Sequence, residues 1–436
     1  MNFSQTVSQS TKMAWRWMSL VLSIVMVMAL SSLTVNAQFV SGSDESDGAL
    51  DFTGLEPDTT VKFNPADFDP PLDSQGDNVY HFTTITIPEG VTVRLSEDIL
   101  GTKPMIWLAT GAVVVNGIID LDGQRGHNHN EVRQPAIAGA GGHGGGVGAA
   151  GASGAFPGDG PGAGKVGQDA EDGEDGDQGD GGGAGHATAG AGDNPENLAG
   201  PAYGNNFLLP LLGGSGGAGG IVRRGANAGG GGAGGGVFLL ASNTSIALNG
   251  EIRANGGVGG AGASLNEGGG GSGGGIRLMS PIISGTGALN ANGGTRNDGH
   301  NGSVGRIRVE ATELTFTGSI SPAGFFSAPG LVFLPETTPA LRITKIDGQD
   351  VSANPTGSFV VPDVTIEAVT AVNIDIAANN IPVGTTIQLR IISESGDIQE
   401  VESTGLAVAL EASTATASVT LPHGFSRFFI EATWTP

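Results

Sequence analysis

Apolar and polar residues alternate along much of the chain, and the alternation predicts strands. In the stretch 246–255, Ile246, Leu248, Ile252 and Ala254 share one face of an extended backbone, and Asn249, Glu251, Arg253 and Asn255 share the other. Further strands are expected over 79–87 and 91–95, with Pro88-Glu89-Gly90 as the turn between them. Four segments repeat one plan of strand, short connector, second strand and glycine turn: 106–123, 237–256, 276–293 and 307–324. From the first apolar residue to the turn glycine is 11 positions in three copies (Ile106 to Gly117, Ile276 to Gly287, Ile307 to Gly318) and 13 in the other (Val237 to Gly250). From that glycine to the closing one is six positions in all four.

A unit of roughly 20 residues cannot bury its own apolar face, so stacked neighbours must bury it. The fold class expected is therefore all-β: a right-handed parallel β-helix or β-solenoid. Glycine-rich insertions project from it after each unit, from Gly123 to Gly236, Gly256 to Gly275 and Gly293 to Val304. Composition shifts after Pro335. Seven short β-rich runs over 341–434, separated by signals such as Asp347-Gly348 and Asn354-Pro355, predict an immunoglobulin-like β-sandwich. Trp434 is expected to be packed in it. The domain plan is a leader over 1–37, a cap or linker over 38–78, the solenoid over 79–335 with its main insertion at 124–235, and the sandwich over 336–436.

The leader reads as a secretory signal peptide. Lys12 and Arg16 precede an apolar run over 18–30, and Val35 and Ala37 offer small residues to a peptidase. The expected destination is the extracellular space or the cell surface. There are no cysteines, which for an exported chain of this size points to a bacterial origin. Net charge is −24, and loss of Lys12 and Arg16 makes it −26. Nucleic acid and anionic lipid are thereby disfavoured as partners, whereas cations and neutral polysaccharide are not; the partners expected are extracellular polysaccharide or cell-surface components. Of 78 glycines, 59 lie between Gly139 and Gly305, a density that excludes helix.

Three groups of residues carry candidate chemistry. Asp120 and Asp122 fall on one face of a strand, about 7 Å apart from the strand rise, a spacing suited to an inverting glycosidase. The same repeat positions hold Arg253 and Asn255, Asn290 and Asn292, and Ser321 and Ala323, which argues for solvated positions that accept any polar residue. No catalytic residue is assigned. His127 and His129 form a His-x-His pair, read as solvent-facing rather than metal-bound. The acidic tract over 169–180 offers Asp172, Asp175, Asp177 and Asp180 as weak Ca²⁺ ligands, without an EF-hand or nonapeptide calcium repeat; otherwise no cofactor is expected. Glycine recurs every third residue from Gly164 to Gly185, broken once at Ala170, so extended polyglycine-type helices packed side by side are open alongside a disordered loop.

The run Ser46-Asp47-Gly48-Ala49-Leu50-Asp51, the run Phe82 to Pro88 and the Asn-Gly-x-Ile-x-x-x-Gly rungs at Gly117 and Gly250 resemble secreted bacterial glycine-rich proteins of pectate-lyase-like β-helix architecture. The C-terminal part resembles small β-sandwich modules of bacterial extracellular proteins. The resemblance implies architecture and no particular activity. The expected function is a non-catalytic secreted or cell-surface adhesion protein. The alternatives are a carbohydrate-active β-helix lyase or hydrolase, and a hydration or ice-surface protein built on polyglycine.

Overall fold

The computed structural model describes residues 39–434 apart from 74–75, 152–153, 167–178, 193–197, 223–225, 264–265, 297–299, 335–338, 353–354, 356–361, 368–369, 394–397 and 410–411. The expected leader lies outside the described residues, and among those described no helix is long and apolar enough to cross a membrane.

The first part of the chain contains β1 (Gly48–Asp51), β2 (Thr60–Lys62), β3 (Val79–Ile87), β4 (Thr92–Arg94), the one-turn helix α1 (Glu97–Leu100), β5 (Met105–Ala109), β6 (Val113–Val115) and β7 (Ile118–Asp120). After a long glycine-rich stretch come β8 (Val237–Ser242), β9 (Ser245–Leu248), β10 (Glu251–Arg253), β11 (Gly275–Gly285), β12 (Ala288–Asn290), β13 (Arg306–Phe316), β14 (Ser319–Ser321) and β15 (Phe325–Ser327). Nine of these strands make one parallel sheet, with the path β15-β13-β11-β8-β5-β3-β6-β9 and β1 on β3. Six short strands make a second parallel sheet, β14-β12-β10-β7-β4-β2. Successive units place like residues in register: Val93, Ile119, Ile252, Leu289 and Ile320 lie side by side along the second sheet. The first four of these sit in the main core and Ile320 packs against it. Each fully buried aliphatic side chain there contributes about 1.5–3 kcal/mol before chain entropy is counted. An aromatic cluster anchors the N-terminal end, with Trp107 against Phe63, Phe82 and Phe238.

The chain is nearly all β, as expected, but the right-handed β-helix with projecting loops and an immunoglobulin-like sandwich is not what forms. β3 pairs with both β5 and β6, and β11 with both β8 and β9. Long and short strands therefore merge into one branched sheet instead of separate coils. The physical reason is strand length: β11 and β13 each run 11 residues, straight through the connector that the repeat pattern placed after Met279 and Glu310. The C-terminal strands are β16 (Ala340–Ile346), β17 (Gln349–Asp350), β18 (Val372–Asn379), β19 (Ile387–Ser393), β20 (Ile398–Glu402), β21 (Ala407–Ala409), β22 (Ala412–Val419) and β23 (Ser426–Ala432). They form antiparallel sheets of five (β17-β16-β18-β22-β21) and three (β20-β19-β23), not the expected seven-strand pattern. The short β17 and β21 are below the length at which alternation can be read. Trp434 does pack against the core of this region.

Where they are described, the glycine-rich insertions are also not projecting loops. Gly146 N–H donates to the Gly217 carbonyl (2.8 Å), Gly217 to Gly232 (2.9 Å) and Gly232 to Gly269 (2.9 Å). Such bonds run sideways between stretches far apart in sequence, and most of the glycines concerned are buried. Their spacing has a period of three. A Cβ at Gly229, Gly232 or Gly235 would collide with the carbonyl oxygen of Gly260, Gly257 or Ala254, respectively. A Cβ at Gly268, Gly271 or Gly274 would collide with that of Gly230, Ala233 or Gly236. Contacts that step three residues at a time are those of extended helices with three residues per turn, here packed laterally in both antiparallel and parallel pairs. The side-chain-free faces let the backbones approach closely enough to bond to one another.

Candidate functional site

Asp120 ends β7 and is flanked in register by Arg94 on β4 and Arg253 on β10. Arg94 Nη1 donates to Asp120 Oδ1 at 2.8 Å, and Arg253 Nη2 to Asp120 Oδ2 at 3.1 Å. Asp122 lies beside them, with Oδ2 3.0 Å from Arg253 Nε and Oδ1 accepting the Asn255 N–H at 2.7 Å. The ladder continues along the stack: Asn292 N–H donates to Asn255 Oδ1 (2.8 Å), and Ser321 Oγ to Asn292 Oδ1 (2.7 Å). These repeat positions are therefore not freely solvated; Asp120 is buried, and each side chain caps backbone or a neighbour on the next strand.

The two carboxyls titrate in opposite directions. Burial works to raise Asp120, but the hydrogen bond from Arg253 and the charge of Arg94 outweigh it and hold the group below its ordinary 3.8. Burial and the adjacent Asp120 push Asp122 up to about 6, against the Asn255 hydrogen bond. A carboxyl raised in the fold gives most stability while protonated. Its contribution is full below about pH 4, falls through the interval up to about pH 6, and is flat above, with a slope of at most about 1.4 kcal/mol per pH unit. Asp122→Asn is expected to match the parent below pH 4 and to exceed it by about 3 kcal/mol above pH 6. Urea unfolding at pH 4, 5, 6 and 7 checks this; a constant difference across the series refutes it. Asp120 has the opposite sign, so its stabilisation is lost only as pH falls through its lowered value.

No protein-family model, curated protein or solved structure matches the chain. His127 Nδ1 is 3.6 Å from Glu131 Oε2, whereas the His129 backbone N–H and Nδ1 both meet the Ala261 carbonyl. The pair is thus divided between two sets of partners. Asp172, Asp175 and Asp177 lie outside the described residues; Asp180 is buried, with Oδ1 accepting the Glu267 N–H at 2.6 Å. Among the described residues no group of three or more His, Asp or Glu is placed to hold a metal.

Two groups escaped the sequence reading. His143 and His186 are enclosed within the glycine block, and burial pushes both down to about 4, so they are neutral space-fillers at neutral pH. His186 stacks on Tyr203 with centroids 4.7 Å apart. The second group is basic. Arg306, Arg308 and Glu310 alternate along β13, and Arg277 sits opposite Arg308 on β11, all on the sheet face away from the main core. Arg277 donates to Glu310 Oε1 through Nε (2.9 Å), and its Nη2 lies 2.8 Å from the same oxygen. Arg308 Nε donates to that oxygen too (2.6 Å). The available signal was the Arg-x-Arg-x-Glu spelling over 306–310, which strand periodicity places on one face.

Proposed function

We propose that the chain is a non-catalytic structural or adhesion protein that works outside the cell, exported by residues 1–37, and that it holds extracellular polysaccharide or cell-surface components against a rigid body. The observation that carries this reading is the glycine block. Its segments are tied to each other by backbone hydrogen bonds and packed too closely for side chains. A surface that is already ordered loses little conformational entropy on binding, which suits a protein whose task is to hold. The engagement of Asp120 by two arginines supports the reading as well.

A second reading, a carbohydrate-active enzyme, draws support from the opposed titration of Asp120 and Asp122, a pattern found where one carboxyl serves as acid and its neighbour stays ionised. A glycan array followed by prolonged incubation with the bound polysaccharides separates the two. Retention without release of reducing ends or unsaturated products is expected. Turnover that disappears in Asp120→Asn would replace the first reading with the second.

A further inference from the structure

We propose that Arg277, Arg306 and Arg308 form a binding site for the carboxylate of an acidic sugar within an extended polysaccharide. Three arginines share one sheet face, and Glu310 is the carboxylate beside two of them, Arg277 and Arg308. Its Oε1 is shared by Arg277 and Arg308, and its Oε2 accepts the Gly330 N–H at 2.9 Å. Arg306 has no carboxylate; its Nε reaches Asn206 Oδ1 at 3.3 Å and its Nη2 the Ala187 carbonyl at 3.4 Å. Arg277 and Arg306 are 3% and 7% exposed, and the Nη1 of each is buried with no hydrogen-bond partner. Buried cationic donors left unpaired are costly, the more so in a chain of net charge −24 that has acidic residues to spare. An oxyanion supplies the missing acceptor, and a planar carboxylate matches the guanidinium fork.

The surroundings favour a sugar as the carrier. The Arg308 guanidinium lies over the Phe207 ring, 5.2 Å from its centroid, and that ring is 63% exposed. Phe325, opposite Arg308 on β15, is also exposed. Apolar ring faces beside cationic donors suit a ligand with a C–H face and a charged edge. The Asn206 carbonyl accepts from Arg308 Nη1 (3.4 Å), so the 203–212 segment orients two of the three arginines, and Arg306 Nη1 lies unpaired beneath it. The site rests on the adhesion reading above, for which it names the class of polysaccharide.

Calorimetric titration of the whole protein with an oligogalacturonate, its methyl ester and inorganic sulfate tests the proposal. The acid form is expected to bind, with affinity falling as salt rises, and the ester to bind at least about tenfold more weakly. Arg306→Gln is expected to lose about tenfold in affinity for the acid form without a lower Tm, because the charge removed is unpaired. Arg306→Lys, which keeps the charge and loses the fork, should fall between them and guards against a folding defect in the first variant. Lys62→Gln removes a remote exposed cation and should bind as the parent does. Equal binding of acid and ester, parent-like binding by Arg306→Gln, or an equal loss in Lys62→Gln would each overturn the site. So would binding of sulfate alone. If Arg306→Gln retains polysaccharide as the parent does, the site falls and the adhesion reading stands. If the parent binds no polysaccharide of any charge, both fall.

Discussion

Gly231→Ala is expected to lower stability by about 3–5 kcal/mol or more, enough to melt the glycine block. The new methyl would occupy the position of the Gly217 carbonyl oxygen. The obstacle is backbone, so no rotamer change relieves the clash. Gly217 is itself held, its N–H bonded to the Gly232 carbonyl at 2.9 Å, while the Gly231 N–H is bonded to Gly146 at 2.7 Å. Moving one segment away breaks lateral bonds on several others. Gly54→Ala supplies the contrast. Nothing lies within 4 Å of its Cβ position and its backbone is not left-handed, so alanine there is expected to be neutral or to stabilise by about 0.4–1 kcal/mol, through the unfolded chain. Guanidinium unfolding of both variants decides the matter. Similar midpoints for the two would mean that the block is not a bonded lattice.

Trp107→Ala is expected to cost about 3–5 kcal/mol. Trp107 is fully buried and is held edge-on by Phe238 (5.1 Å) and Phe82 (5.9 Å), with Phe63 tilted across it at 5.2 Å. Those rings belong to β8, β3 and the chain just after β2, so the cavity would open where several units meet. Trp107→Phe should cost clearly less, because it keeps most of the volume and removes an indole N–H that has no partner. Thermal and denaturant unfolding of the two variants, compared with the parent, test the ranking. A loss of less than about 1 kcal/mol in Trp107→Ala would show that the surrounding rings collapse to fill the space.

The short strands were legible in the sequence because each buries one face only. The glycines that precede them, Gly117, Gly250, Gly287 and Gly318, come out equivalent in the register of the second sheet. The long strands were legible as strands, β3 to the residue, but the register of the others was not. Met105, Ile106, Trp107, Leu108 and Ala109 are all buried, so alternation vanishes and nothing in the pattern sets the register. In the structure Phe238, not Val237, aligns with Ile276, and Met105, not Ile106, aligns with Phe238. With these starts the spacing to the turn glycine is 12 in the first two copies (Met105 to Gly117, Phe238 to Gly250) and 11 in the other two, and the extra residue lies between β8 and β9, where the pairing with β11 shifts by one between Met279↔Ala241 and Ile282↔Ser245. The carboxylate pair was legible as a pair, but not its arginine partners, since Arg94, Asp120 and Arg253 meet only across strands. The three-residue glycine rhythm was visible, yet it does not say which segments bond. That depends on contacts between stretches as distant as Gly146 and Gly217.

The glycine block has a bearing on how such a sequence can change. A lattice held by backbone groups has almost no side chains to vary, so single substitutions within it are closed off one position at a time. Its lateral bonds, however, are the same from turn to turn. A segment lengthened or shortened by one full turn presents the same pattern to its neighbours. Diversity among descendants of this chain should therefore accumulate as insertions and deletions in multiples of three residues, at the ends of the packed segments.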